Sequence, residues 1–176
     1  MSQPFRVVLV CLGNICRSPM AEAVLRDRVA ASGLADRVSV ESAGTAGYHV
    51  GSGADPRALA ALQARGYDGS EHRARRFGPD WFGRVDLVLA LDEDNLATLA
   101  ALAPAAAARR DLRMFRSYDP DAVREGDLDV PDPYYGGADG FEHVLDLVER
   151  AADGLVAELT RTVGDRTAEG SARHGG

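Results

Sequence analysis

An apolar, β-branched run, Pro4-Phe5-Arg6-Val7-Val8-Leu9-Val10, predicts a short buried strand. Met20 to Ala31, with Val24, Leu25 and Val29 among charged residues, predicts an amphipathic helix, with Ser18 as its N-cap and Pro19 in its first turn. Only Cys11 to Ser18 lies between them, so the chain passes from a strand almost directly into a helix N-terminus. A strand without polar alternation that feeds a helix is the opening of a parallel sheet covered on both faces. The alternation continues. Arg37–Glu41 reads as a second strand, Val85–Leu91 as a nearly all-apolar third, and Leu112–Phe115 as a short fourth. Helices are predicted at Arg57–Arg65, capped by Asp55-Pro56 and stopped by Gly66, at Glu93–Leu102, capped by Asp92, and from Phe141 to Val163. The expectation is a three-layer α/β fold: a four-stranded parallel sheet flanked by helices, with ligands at the carboxyl ends of its strands. The 176 residues suit one domain, residues 1–163, and the small, polar stretch 164–176 reads as a disordered tail.

The loop itself carries chemistry. Free N–H groups and the helix dipole favour an anion there. Such a setting also lowers a cysteine pKa from ~8.5 to roughly 3.5–7.5, which readies the Cys11 thiolate as a nucleophile. Arg17 adds a planar fork for two oxygens of a phosphate, and Gly13 and Asn14 tolerate the left-handed backbone that curls amides toward one point. Rival readings of the loop are weaker. Cys11 and Cys16 are the only cysteines, too few for a structural zinc site, and G-x-x-x-x-G-K-[ST] is missing. No metal or cofactor is implied.

A net charge of −7 argues against nucleic acid as a partner, so an anion site must build its positive field locally. Two cysteines in one loop give no disulfide framework and fit a reducing compartment. With no secretory h-region and no apolar run of membrane length, the expectation is a cytoplasmic monomer without a membrane partner, export by an unsignalled route aside.

Further stretches fall in order: Glu41-Ser42-Ala43-Gly44-Thr45, Asp55-Pro56-Arg57, His72-Arg73-Ala74-Arg75 and Asp132-Pro133-Tyr134-Tyr135-Gly136. With Cys-Leu-Gly-Asn-Ile-Cys-Arg-Ser-Pro at Cys11 to Pro19, they resemble the low-molecular-weight protein tyrosine phosphatases over residues 5 to 160. The resemblance implies hydrolysis of phosphotyrosine in proteins through a phosphocysteine on Cys11. Arg17 and the loop amides of Leu12, Gly13, Asn14, Ile15, Cys16 and Ser18 would bind the phosphate, and the Ser18 hydroxyl would hydrogen-bond the Cys11 sulfur. Asp132, in a loop shaped by proline and glycine, would be the general acid; Asp129 lacks the motif. His72 would sit beneath the loop and hold Asn14, with Ser42 as a second support. Tyr48, Tyr134 and Tyr135 would wall the substrate slot, and Cys16 would form a reversible disulfide with Cys11 under oxidation. The alternatives are an arsenate reductase on the same fold, whose thiol cascade needs cysteines this chain lacks, and a non-catalytic phosphate-binding module, in which nucleophile or acid would be missing. Four expectations concern surroundings. The glycine-dense stretch Ser42–Gly53 reads as a loop, His49 as solvent-facing, Arg73 and Arg76 as a solvated helix face, and His143 as exposed.

Overall fold

Side chains of strand β1 (Phe5–Cys11) divide by parity between two hydrophobic clusters: Val7, Leu9 and Cys11 join one, Val8 and Val10 the other. That is the signature of a strand covered on both faces. The computed structural model describes residues 3–172, with the backbone alone at 107, 108, 110 and 166–172. The remaining strands are β2 (Val38–Gly44), β3 (Leu87–Ala90) and β4 (Leu112–Met114), and the sheet is all parallel in the order β2-β1-β3-β4. The helices are α1 (Arg17–Ala31), α2 (Pro56–Ala64), α3 (Glu93–Leu102), α4 (Pro120–Glu125) and α5 (Ala138–Ala172). Met20, Val24 and Leu25 of α1, Leu62 of α2 and Phe141, Leu145 and Leu155 of α5 fill one face. Leu99 of α3 fills the other, with Phe77, Trp81 and Val85. Three layers result, as expected. β2 and β3 lie on opposite sides of β1, so the winding direction reverses there. Cys11 ends β1 at that switch point, where open α/β sheets bind ligands.

Several expectations are corrected. β2 runs on through Ser42, Ala43 and Gly44, which the sequence reading gave to a loop, because its ladder with β1 extends to Cys11↔Gly44. Residues 70–76 are irregular rather than helical, and Arg76 forms a single bridge to Gly44. α1 is not simply amphipathic: Arg17 to Glu22 are all buried, because its first turns lie beneath the anion loop and against β2 and α5. Ser18 does not cap α1. The N-cap is Cys16, without a side-chain bond, and the Ser18 hydroxyl is engaged elsewhere. Asp55 and Asp92 do cap, accepting from Arg57 N (2.8 Å) and Asn95 N (2.7 Å). The short α4 went unforeseen. α5 continues past Gly164 to Ala172, where a disordered tail was expected, and residues 173–176 lie outside the described ones. No proline stops it, and the two glycines there, Gly164 and Gly170, cost only about 1 kcal/mol each in a helix already propagating.

Candidate active site

Cys11 is buried at the end of β1, its Sγ 3.0 Å from Ser18 Oγ. Asn14 Nδ2 donates to that same hydroxyl at 2.7 Å, which leaves the hydroxyl proton for the sulfur or for the Ala43 carbonyl, the more distant acceptor at 3.5 Å. Among the described residues, no backbone N–H from Leu12 to Ser18 donates to another protein group. Buried amides are rarely left so. Gathered at the start of α1, they form a cradle for an anion.

The loop holds this shape because Asn14 is clamped. It is fully buried, and it is the one non-glycine among the described residues with positive φ (59°). Nδ2 also donates to Ser42 Oγ (3.0 Å), and Oδ1 accepts from Arg75 N (2.9 Å). The Asn14 carbonyl accepts from His72 Nε2 at 2.7 Å. These bonds hold a left-handed conformation that costs of order 1–3 kcal/mol. A second row stands behind them. Ser42 Oγ donates to Glu22 Oε2 (2.9 Å), His72 Nδ1 faces the same oxygen at 3.4 Å, and Arg26 pairs with Oε1 at 2.9 Å. Burial by itself raises the Glu22 carboxyl, but His72, Arg26 and Ser42 outweigh it and bring it below its ordinary value. Gly44 lets the end of β2 come this close, since a Cβ there would lie 2.6 Å from the Leu12 carbonyl oxygen.

Arg17 is buried and aimed by its partners: Nη1 donates to Asp92 Oδ2 (2.5 Å) and to the Val130 carbonyl (3.1 Å), and Nη2 lies 3.7 Å from Asp132 Oδ2. Burial disfavours its charge, yet Cys11, Asp92 and Asp132 more than compensate and hold the guanidinium cationic. The Asp132 loop is pinned at its start, where Val130 N donates to Leu91 O (2.7 Å) and Asp129 Oδ1 accepts from Glu93 N (2.8 Å). Beyond Val130 it emerges, and the Asp132 side chain is 43% exposed.

Cys11, the loop, Arg17, Asp132, Tyr48, Tyr134 and Tyr135 line one cleft of about 340 Å³. Tyr134 packs edge-on against Tyr135, which is 95% exposed, and Tyr48 is 78% exposed on the far wall. His49 is a correction. It is half-buried rather than solvent-facing, and it lines the cleft against Gly13, where a Cβ would meet its ring at 3.0 Å. Burial, then the charges of Asp55, Cys11 and Asp132, pushes the Cys16 thiol up to about 12, so Cys16 stays protonated.

The sequence reading made Asp92 only a helix cap and gave Arg57 no role. Asp92 follows β3, the strand beside the switch point, and a carboxylate at that strand end was the available signal. Arg57 carried no signal beyond its motif, because its partners across the cleft, Gly136 and Tyr134, are distant in sequence.

A family model for low molecular weight phosphotyrosine protein phosphatases matches residues 6–165. The chain is 56% identical over 164 residues to a low molecular weight protein-tyrosine-phosphatase of Streptomyces coelicolor, covering 93% of this chain and 99% of that one. It is 46% identical over 155 residues to low molecular weight protein-tyrosine phosphatase A of Mycobacterium tuberculosis, with 88% and 91% covered. Its structure is similar to that of a protein tyrosine phosphatase from Entamoeba histolytica crystallised with Hepes in the active site. The TM-score is 0.84 at 34% identity, over 90% of this chain and 98% of that one.

Proposed function

Because the chain belongs to the low molecular weight phosphotyrosine protein phosphatase family, it is a protein tyrosine phosphatase, and we propose how its residues divide the work. The Cys11 thiolate attacks phosphorus in line and the bond to the tyrosyl oxygen breaks. Asp132 gives that oxygen its proton, a step worth ~10²–10⁴-fold. Arg17 and the amides of Leu12 to Ser18 hold the three equatorial oxygens, where transition-state charge is spread. Water then attacks the phosphocysteine and loses a proton to the Asp132 carboxylate. The S–P bond breaks, phosphate leaves, and the Ser18 hydroxyl steadies the departing sulfur. Asn14, Ser42 and His72 keep the cradle in shape, and Tyr48, Tyr134 and Tyr135 grip the substrate ring.

The observation that carries this assignment is one cleft holding Cys11, buried Arg17 and, 3.7 Å from Arg17, the carboxylate of Asp132. Cys16 serves as a reserve thiol. If a hydroperoxide oxidises Cys11 to the sulfenic acid, the Cys16 thiol attacks it and gives up its proton to the departing hydroxide, so that water leaves and a disulfide forms that a thiol reductant reopens. Two unpaired cysteines support a cytoplasmic location and a net charge of −7 supports work without nucleic acid, with a monomer as the default; no described helix is long and apolar enough to cross a membrane.

The test compares one peptide phosphorylated on tyrosine or on serine. Efficient turnover of the first alone is expected, and equal kcat/KM for both would remove the aromatic slot from the reading. Cys11→Ser should abolish hydrolysis while inorganic phosphate still binds; persisting turnover would remove Cys11 as nucleophile.

A further inference from the structure

The catalytic steps leave Asp55-Pro56-Arg57 with no task beyond capping α2. Yet the Arg57 guanidinium reaches in two directions. Toward the anion loop, it grips Asp55 with Nε (3.1 Å to Oδ1) and Nη2 (3.0 Å to Oδ2). Asp55 is fixed to that loop in turn, since its N–H donates to the Ile15 carbonyl at 2.8 Å. Toward the acid loop, Nη1 donates to the Gly136 carbonyl (3.4 Å), and the guanidinium lies 5.5 Å from the centre of the Tyr134 ring. The Phe141 ring, in the first turn of α5, is 4.8 Å away. Tyr134 N in turn donates to Asp132 Oδ1 at 3.1 Å, so whatever holds Tyr134 bears on the acid.

From Pro131 to Gly136, the hydrogen bonds and ion pairs to other elements among the described residues come from two arginines. Arg17 faces Asp132 and Arg57 holds Gly136. A phosphate in the cradle engages Arg17, and Arg57 then remains. The geometry suits arginine, whose planar fork can grip a carboxylate along one edge, present its face to rings and still direct an N–H at a carbonyl; lysine cannot do all three.

We propose that Arg57 is a positioning residue for the general acid. It splints the acid loop to the anion loop, so that the Asp132 carboxyl meets the leaving oxygen. This rests on the assignment of Asp132 as that acid. Arg57 touches neither substrate nor reacting atoms, and its effect passes through Asp132.

The experiment compares kcat/KM of wild type, Arg57→Ala, Arg57→Lys, Asp132→Asn and the Arg57→Ala/Asp132→Asn double variant. The substrates are phenyl phosphate, whose leaving oxygen is basic, and 2,4-dinitrophenyl phosphate, whose leaving oxygen is not. This ratio covers binding and the first phosphoryl transfer, where the acid donates. With phenyl phosphate, Arg57→Ala is expected to lose about ten-fold or more, since a displacement of about 1 Å can cost about 10². With the dinitrophenyl ester, which needs little proton donation, the loss should stay under about two-fold. Inhibition by inorganic phosphate should not change. Arg57→Lys should follow Arg57→Ala, and it supplies the measurement if Arg57→Ala fails to fold. In the Asp132→Asn background, removing Arg57 should change kcat/KM no further. Equal loss on both esters, no loss, weakened phosphate inhibition or additive effects in the double variant would each overturn the splint. An Asp132→Asn variant that loses equally on both esters would instead overturn the acid assignment, and the splint with it.

Discussion

The anion loop and the acid loop face each other across one cleft, but they are held by opposite means. The anion loop is fixed from beneath. Asn14 is fully buried and bonded to Ser18, Ser42, His72 and Arg75, with Glu22 behind them. The acid loop is fixed at its start, by Val130 and Asp129, and then runs mostly exposed to Gly136, Pro133 apart, with two arginines as its polar ties to other elements. The difference follows from the chemistry proposed for the two loops. A cradle for developing charge stabilises it only if its donors need not reorganise during the reaction. A loop that delivers an acid beside a bulky aromatic ester must admit the ester and release the phenol, and a rigid wall would impede both.

The widest gap between the two loops is expected at Asp132→Asn. It should lower kcat/KM for a phosphotyrosine peptide by about 10²–10⁴-fold and leave the unfolding temperature nearly unchanged, because the side chain is open to solvent and its ion pair with Arg17 is long, at 3.7 Å. Lost stability there would break the comparison. Asn14→Ala should lose both quantities together. It leaves Ser18, Ser42 and the Arg75 N–H short of partners and keeps a strained backbone, so about 2–4 kcal/mol of stability should go, along with phosphate affinity. Denaturant titration and phosphate inhibition measure the pair.

Glu22→Gln sharpens the comparison through pH. The folded value of Glu22 lies below its ordinary 4.5, so its stabilisation is complete above about that pH and is lost as pH falls through the folded value. Wild type should therefore exceed Glu22→Gln by about 1–3 kcal/mol at neutral pH, with the difference shrinking below pH 4. A constant difference across that range would show that Glu22 does not act as a carboxylate. Smallest of all, Tyr135→Ala should leave stability within about 0.5 kcal/mol. Its effect should be confined to a few-fold rise in KM for phosphotyrosine peptides, and a larger change in kcat would give this ring a part in the chemistry.

Much of this was legible in the sequence wherever neighbours in the chain are neighbours in space. Periodicity marked four strands, turn chemistry marked the caps at Asp55 and Asp92, and Cys11 to Pro19 announced an anion loop at a helix start. What failed depended on packing. Ser18 is a good N-cap by type, but its hydroxyl is drawn to Cys11 and Asn14. Ser42–Gly44 has loop composition, yet the ladder with β1 makes it strand. The 164–172 stretch has tail composition, yet a helix packed on the core carries through it.

The order of residues alone therefore determined that a thiol and a guanidinium would meet at a strand–helix junction, because that encounter closes within eight residues. Folding decided the rest. Asp92 aims Arg17, Ser42 and His72 hold Asn14, and Arg57 spans to Gly136 across long separations in the chain. Contacts of that kind exist only once the sheet has brought its strand ends to one edge, and no local pattern encodes them.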